Sequence, residues 1–157
     1  MAETISLTGR AHKSKTAFRM AYAVGANIKA PASRIWMLLT NAKDFPRWNS
    51  TVEKIEGDIA AGQPIKLYVK VAPGRAFKLT VGEFVPNQRM VWSDGNFMFR
   101  GVRTYTLTPK PDGSTDFTMS EVFSGGMLPL IAGSLPDFGP EFEKYAADLK
   151  REAEKAI

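Results

Sequence analysis

The stretch from Gly101 to Gly125, GVRTYTLTPKPDGSTDFTMSEVFSG, has the pattern of a β-hairpin and constrains the fold more than any other part of the chain. In both arms large apolar residues alternate with small or polar ones, and an Asp-Gly turn signal separates the arms. Because successive strand residues face opposite sides of a sheet, the alternation assigns Tyr105 to the inner face. The same rule assigns Arg103 and Glu121 to that face. The hairpin therefore predicts two full charges among apolar side chains.

The register of the hairpin decides whether those two charges meet. If Leu107 lies opposite Phe117, then Arg103 lies opposite Glu121, close enough to interact, although a shift of two residues would part them. One charge buried alone would cost several kcal/mol, whereas a buried pair is tolerable but seldom better than apolar residues. Such a pair suggests a polar spot in the wall of a cavity. Several interpretations stay open: a structural pair, two charges at a solvated rim, or a pair that binds a ligand or moves a proton.

The rest of the chain surrounds the hairpin with further strand signals and a few helices. Residues 16–28 keep one apolar parity and predict a long first strand, and an apolar stripe after Pro31 predicts a short helix. Phe45 to Trp48 predict a second short helix. A long amphipathic helix is expected from between Asp137 and Glu141 to the C-terminus. Four more strand signals, separated by turn residues, lie at residues 51–57, 65–71, 77–81 and 89–93.

The sequence predicts a short leader followed by one domain. Residues 1–14 show no apolar periodicity and are expected to be a disordered leader, which leaves residues 15–157 as a single domain. The net charge of +5 is carried partly by this basic N-terminal region. Such a region is able to contact nucleic acid or an anionic membrane surface, but no nucleic-acid motif accompanies the charge. The region is therefore interpreted as a solvated N-terminus, and no nucleic-acid partner is expected.

The amino-acid composition limits the kinds of catalytic and metal sites that the chain can form. The chain has no Cys and one His, His12, which argues against a zinc cluster of the usual kind and against a Cys-His nucleophile. Acid-base work would fall to Asp, Glu, Lys or Tyr. No apolar run is long enough to cross a bilayer, and the N-terminus lacks the apolar region of a secretory signal. The sequence therefore predicts a cytoplasmic protein without stable membrane insertion.

Two strings resemble a known superfamily. Residues 27–50, NIKAPASRIWMLLTNAKDFPRWNS, resemble the opening motif of the SRPBCC or START-like superfamily, which includes polyketide cyclases and birch-pollen-allergen relatives. The hairpin at 101–125 resembles its closing strands, and the likeness covers roughly residues 16–156. It implies an α+β helix-grip fold. In that fold a curved antiparallel sheet of about seven strands wraps around a long C-terminal helix, and two short helices follow the first strand.

The resemblance also implies an internal cavity between the sheet and the C-terminal helix, with no metal or cofactor. The first expectation is that the cavity binds a small hydrophobic or aromatic molecule, lipid-like or polyketide-like. Fold alone does not choose the function, so two alternatives stay open. One is an enzyme of the polyketide cyclase or dehydratase type, in which Arg103 would stabilise an enolate oxygen and Glu121 would move a proton. The other is a protein-binding adaptor of the chaperone-ATPase-activator type, which would use residues 128–135 or the sheet surface. A homodimer is also left open.

The candidate cavity residues combine inner-face parity with positions on the C-terminal helix. Arg103 and Glu121 are the candidates for ligand anchoring and for catalysis. Phe97 shares the inner parity, and each aromatic or Met side chain is equally interpretable as filled core. The expected ligand-binding residues are, besides the charged pair, Phe77, Phe99, Tyr105, Met119, Phe123, Phe138, Phe142, Tyr145 and, more weakly, Trp48.

Overall fold

The computed structural model describes residues 5–155, and within that range it contains eight strands and four α-helices. The helices are α1 (Ala32–Thr40), α2 (Phe45–Trp48), α3 (Leu128–Ile131) and α4 (Gly139–Ala153). The strands are β1 (His12–Lys15), β2 (Arg19–Ile28), β3 (Val52–Glu56), β4 (Pro64–Val69), β5 (Ala76–Val85), β6 (Arg89–Gly95), β7 (Arg100–Pro109) and β8 (Thr115–Ser124).

All eight strands form one antiparallel sheet in the order β1-β2-β8-β7-β6-β5-β4-β3. Helix α4 lies against the inner face of this sheet, where Phe142 contacts the ring of Tyr22 and Tyr145 contacts the ring of Tyr105. The helices α1 and α2 connect β2, the second strand in this order, to β3 at the far edge of the sheet. The sheet and helix together confirm the predicted α+β helix-grip fold.

The predicted register of the closing hairpin is confirmed. Leu107 pairs with Phe117, Tyr105 with Met119 and Arg103 with Glu121. Pairing continues beyond these residues to the ends of both strands, so the connection is residues 110–114, where the Lys110 N–H donates to the carbonyl oxygen of Ser114 at 2.8 Å. The connection is therefore short and leaves no freedom to slip the register.

The N-terminal region differs from the expectation of a disordered leader. Strand β1 pairs with β2, the Gly9 N–H donates to the carbonyl oxygen of Gly25 at 2.8 Å, and the Ala11 N–H donates to Glu143 Oε2 at 2.9 Å. All four residues of β1 are exposed, so backbone pairing rather than apolar burial holds this edge strand, and no apolar alternation marks it in the sequence. Residues 1–4 of the expected leader lie outside the described range.

The other predicted elements need smaller corrections. The first long strand begins at Arg19 rather than at residue 16, because residues 16–19 make a turn in which the Thr16 N–H donates to the carbonyl oxygen of Arg19 at 2.7 Å. The C-terminal helix begins at Gly139, inside the predicted interval, with Pro140 in its first turn, where the missing N–H costs nothing. None of the helices in residues 5–155 combines the length and apolarity that a membrane span requires.

Candidate ligand-binding site

A mainly apolar cavity lies between α4 and the inner face of the sheet. Its volume is about 60 Å³. The cavity in this form has room for a few water molecules, whereas pockets that enclose drug-sized molecules measure about 300–1,000 Å³.

Two charged side chains project into this cavity from neighbouring strands. Arg103 Nε donates to Glu121 Oε2 at 2.9 Å, and the two side chains are 10% and 14% exposed. On the inner face Glu121 lies between Arg103 and Tyr22, and Arg103 lies between Glu121 and Trp92. The pair is therefore nearly buried, and its neighbours across the strands on both sides are aromatic.

Besides Glu121, two tyrosine hydroxyls and an aromatic ring surround the Arg103 guanidinium. Arg103 Nη1 donates to the Tyr105 hydroxyl at 3.5 Å, and that hydroxyl lies 2.9 Å from the hydroxyl of Tyr145 on α4. The ring of Phe142 lies 5.3 Å from the guanidinium carbon, a cation–π distance. Within residues 5–155, Nη2 of Arg103 donates to no protein acceptor. The guanidinium is thus held through Nε, Nη1 and its flat face.

Burial and the neighbouring charges set the protonation of the pair. Burial alone would lower the pKa of Arg103, but the charge of Glu121, with smaller contributions from Tyr105 and Tyr145, raises it above its ordinary value, so the group stays cationic. Burial raises the pKa of Glu121 by more than the charge and hydrogen bond of Arg103 lower it, and the like charge of Asp94 adds a smaller rise. Glu121 therefore binds a proton more tightly than an ordinary glutamate does.

Asp94 is a second carboxyl in the cavity wall. Burial raises its pKa, which the Gly101 N–H, donating to Asp94 Oδ1 at 3.2 Å, and the charges of Arg75 and Arg100 partly offset. The two carboxyls and Arg103 give this end of the cavity its polar character. Within the described range, no group of three or more His, Asp or Glu side chains is placed to share a metal ion.

The structure brings most of the sequence-predicted residues to the cavity. Arg103 and Glu121 both line it. The aromatic residues that line it are Phe77, Phe99 and Phe123 from the sheet side and Phe138, Phe142 and Tyr145 from α4 and the segment before it.

Four other candidates lie elsewhere. Tyr105 and Met119 are completely buried and do not line the cavity, and Tyr105, which packs against Tyr145 of α4, contacts Arg103 through its hydroxyl. Trp48 is buried against Phe45 and Tyr145, with ring centroids 5.0 and 6.0 Å away, and does not line the cavity. Phe97 is 85% exposed, because it belongs to the loop between β6 and β7, where strand parity does not apply.

Several cavity residues were missed from the sequence. They come mainly from the far strands and from the chain that leads into α4. Leu79 shares the parity of Phe77, and Asp94 that of Trp92, so alternation contained a signal for both. Leu135 and Pro136 belong to irregular chain, where no periodicity marks them. The missed residues are Thr51, Leu67, Val69, Val71, Arg75, Leu79, Asp94, Leu135, Pro136 and Glu141.

The fold and the cavity define a helix-grip protein with an internal site, and the comparisons with known proteins agree. The sequence matches the family model described as polyketide cyclase / dehydrase and lipid transport over residues 20–154. The chain belongs to this family. The family and the apolar cavity indicate hydrophobic-ligand binding as its general function. No curated protein matches the sequence.

Solved structures show the same fold at low sequence identity. A START superfamily protein from Mycobacterium smegmatis has 17% identity and a TM-score of 0.62, over 85% of this chain and 97% of that one. The Zhui aromatase/cyclase from a Streptomyces species has 15% identity and a TM-score of 0.65, over 87% and 94% of the two chains. A hypothetical protein from Helicobacter pylori has 11% identity and a TM-score of 0.67, over 84% and 88%.

Proposed function

We propose that the protein binds a small hydrophobic or aromatic molecule that carries an acidic or carbonyl oxygen. The apolar part lies between the sheet and α4, and the oxygen accepts a hydrogen bond from Arg103. The observation that carries this proposal is an Arg103 guanidinium that lines an apolar cavity, is fixed by three neighbouring groups and leaves Nη2 without a protein acceptor in the described residues. A cytoplasmic location remains a prediction.

A purely structural ion pair explains these features less well. A buried pair is seldom more stabilising than apolar residues of similar size, and this chain has many such residues in the same face. A polar group beside a cavity instead gives specificity, because a ligand oxygen placed there makes a charge-assisted hydrogen bond. Binding also requires the cavity to widen, and the segment at residues 132–138, which contains Leu135 and Pro136, is the wall without a long helix or strand.

Two related fluorescent probes test the anchor. Anilinonaphthalene sulfonate carries an anionic group, and phenylnaphthylamine has the same aromatic system without it. Replacing both members of the pair, in the variant Arg103→Gln with Glu121→Gln, removes the cation without leaving a buried carboxylate unpaired. Because a hydrogen bond to a charged group contributes about 1.5–3 kcal/mol, we expect this variant to bind the sulfonate about tenfold or more weakly.

The neutral probe is the internal control. Phenylnaphthylamine should bind the double variant with nearly unchanged affinity, since its contacts are with the apolar walls. Equal weakening of both probes would show that the substitutions disturb the cavity as a whole and would remove the anchor from the proposal. Binding that is indifferent to the substitutions for both probes would place the probes outside the cavity.

A second candidate function is an enzyme of the cyclase or dehydratase type. It is favoured by the raised pKa of Glu121 next to a cationic Arg103 in a largely dry site, since that combination suits proton removal beside an oxygen that gains negative charge. The aromatase/cyclase Zhui shares the fold, which supports no more than the architecture. The adaptor alternative rests on no feature of the cavity.

Exchange of carbon-bound protons separates an enzyme from a binder. If Glu121 is the base, the protein should accelerate exchange of the acidic methylene protons of an acetoacetyl thioester in deuterated water, followed by NMR. The variant Glu121→Gln should lose the acceleration and still bind the naphthyl probes. Unchanged exchange in that variant, or none with the unmodified protein, would leave ligand binding alone as the proposed function.

A further inference from the structure

Four large apolar side chains are exposed together at one end of the molecule, outside the cavity. Phe97 is 85% exposed, Leu130 79%, Phe18 60% and Met98 41%. They come from three separate segments: the turn between β1 and β2, the loop between β6 and β7, and α3. Single exposed apolar side chains are ordinary, but a group of them marks a surface that meets another apolar phase.

Backbone hydrogen bonds join the three segments into one surface. The N–H groups of residues 125, 126 and 127 donate to the carbonyl oxygens of Phe18, Phe97 and Met98 at 3.3, 3.2 and 2.8 Å. Leu130 follows in the next helical turn, where its N–H donates to the carbonyl oxygen of residue 127 at 3.1 Å. The four exposed residues therefore belong to one connected part of the surface, and we call Phe18, Phe97, Met98 and Leu130 the apolar tip.

The surroundings of the apolar tip are basic. Its three segments, residues 16–19, 95–100 and 124–134, contain Arg19 and Arg100 and no Asp or Glu. Both arginines are exposed. Arg19 on β2 and Arg100 on β7 lie on either side of β8, and both are in register with its residue Ser124. Neither lies within ion-pair distance of a carboxylate in the part of the chain that the structure describes, although the charge of Arg100 also acts on Asp94, the residue before the second segment. Lys15, also exposed, adds a third cation beside the turn.

We propose that the apolar tip docks the protein reversibly on an anionic lipid surface. A bilayer interface accepts aromatic and aliphatic side chains without a matching groove, and anionic headgroups attract the neighbouring cations. A specific protein partner would instead need a complementary packed surface, and a second copy of this chain would bring Arg19 and Arg100 against like charges. The inference does not depend on what the cavity binds. Docking at the apolar tip would also place the cavity near the lipid, since Phe99, the residue after Met98, lines the cavity.

Vesicle binding tests the proposal with a matched control. The full chain should bind vesicles of equal parts phosphatidylcholine and phosphatidylglycerol, and not vesicles of phosphatidylcholine alone. The paired variant Phe97→Ser with Leu130→Ser should weaken binding at least about tenfold, because it removes two apolar anchors. Met37→Ser is the control, since Met37 is 69% exposed on α1, beyond the opposite end of β2 from the tip, and should leave binding unchanged.

Two further experiments measure the contribution of the cations to vesicle binding and the depth to which the apolar tip enters the bilayer. Arg19→Gln with Arg100→Gln should weaken vesicle binding about 10- to 30-fold, since each cation near an anionic surface contributes about 1 kcal/mol, and added salt should have the same direction of effect. A Trp placed by Phe97→Trp should be quenched by brominated lipid, whereas one placed by Met37→Trp should not. All of these positions are exposed, so an unchanged thermal midpoint is expected for every variant.

Three results would overturn the proposal. One is absence of binding to anionic vesicles at low salt. Another is equal loss of binding in the Met37 control and in the tip variants. The third is a concentration-dependent dimer, or a complex with an acidic protein, that the tip substitutions dissociate while the unmodified protein ignores vesicles. In that case the apolar tip is a protein interface.

Discussion

Replacing Arg103 by Met leaves the Glu121 carboxyl in the cavity wall without its cation, and the resulting loss of stability should depend on pH. The Glu121 side chain is 14% exposed and accepts its only hydrogen bond within residues 5–155 from Arg103 Nε. Burial already raises the pKa of this carboxyl, and Arg103 is the main influence that opposes the rise. Without Arg103 the folded protein has to hold Glu121 protonated.

The expected loss of stability can be calculated from the free energy needed to protonate Glu121. A carboxyl with an unfolded pKa of 4.5 costs about 3.4 kcal/mol to protonate at pH 7 and about 0.7 kcal/mol at pH 5, at 1.36 kcal/mol per pH unit. Because the pKa of Glu121 is higher in the folded state, the folded protein binds the extra proton, and its stability falls as pH rises above 4.5. We expect Arg103→Met to lose up to about 3 kcal/mol of unfolding free energy at pH 7 and less than about 1 kcal/mol at pH 5.

Urea titrations at the two pH values, followed by circular dichroism, measure this difference. The double variant Arg103→Met with Glu121→Gln should recover most of the loss and show no such pH dependence. Arg89→Met is the matched control, because Arg89 forms an ion pair with Glu83 at the same 2.9 Å but with both side chains largely in solvent, so its loss should be much smaller. An equal loss at both pH values, or a double variant as unstable as the single one, would refute the buried-pair argument.

Three further substitutions test the supporting contacts. Tyr145→Phe removes the hydroxyl 2.9 Å from that of Tyr105 and should cost about 1–2 kcal/mol of unfolding free energy in a urea titration. Phe142→Ala removes a buried ring that contacts both the guanidinium and the sheet, and should cost about 3–5 kcal/mol by the same measurement. Gly25→Ala would place a Cβ 2.7 Å from the carbonyl oxygen of Ser6, so hydrogen exchange in residues 5–11 should accelerate while the core protection stays unchanged.

Much of the fold was predictable because alternation is a strong signal in two-sided strands. The hairpin that contains Arg103 and Glu121 was predicted with its correct register, since each arm has one apolar face and a short connection holds the pairing. Edge strand β1 was not predictable in this way. It is exposed on both faces, so its pairing with β2 depends on backbone groups that every sequence possesses.

The site was predicted less completely, for reasons of packing. Parity places Tyr105 and Met119 on the inner face, but it does not tell which inner positions α4 covers and which face open volume. Phe97 follows the same parity and is nevertheless exposed, because the strand ends at Gly95. Other lining residues, such as Thr51 just before β3 and Leu67 on β4, are distant from Arg103 in the chain, and only the three-dimensional arrangement brings them to the same cavity.

A crystal structure of the protein with anilinonaphthalene sulfonate bound tests the central claim most directly. We expect the naphthyl system to lie between the sheet and α4, with a sulfonate oxygen within hydrogen-bonding distance of Arg103 Nη2. We also expect an outward displacement of residues 132–138, because a cavity of about 60 Å³ is too small for the probe. A probe bound only at the apolar tip, with the cavity unchanged and no contact to Arg103, would contradict the proposed ligand site.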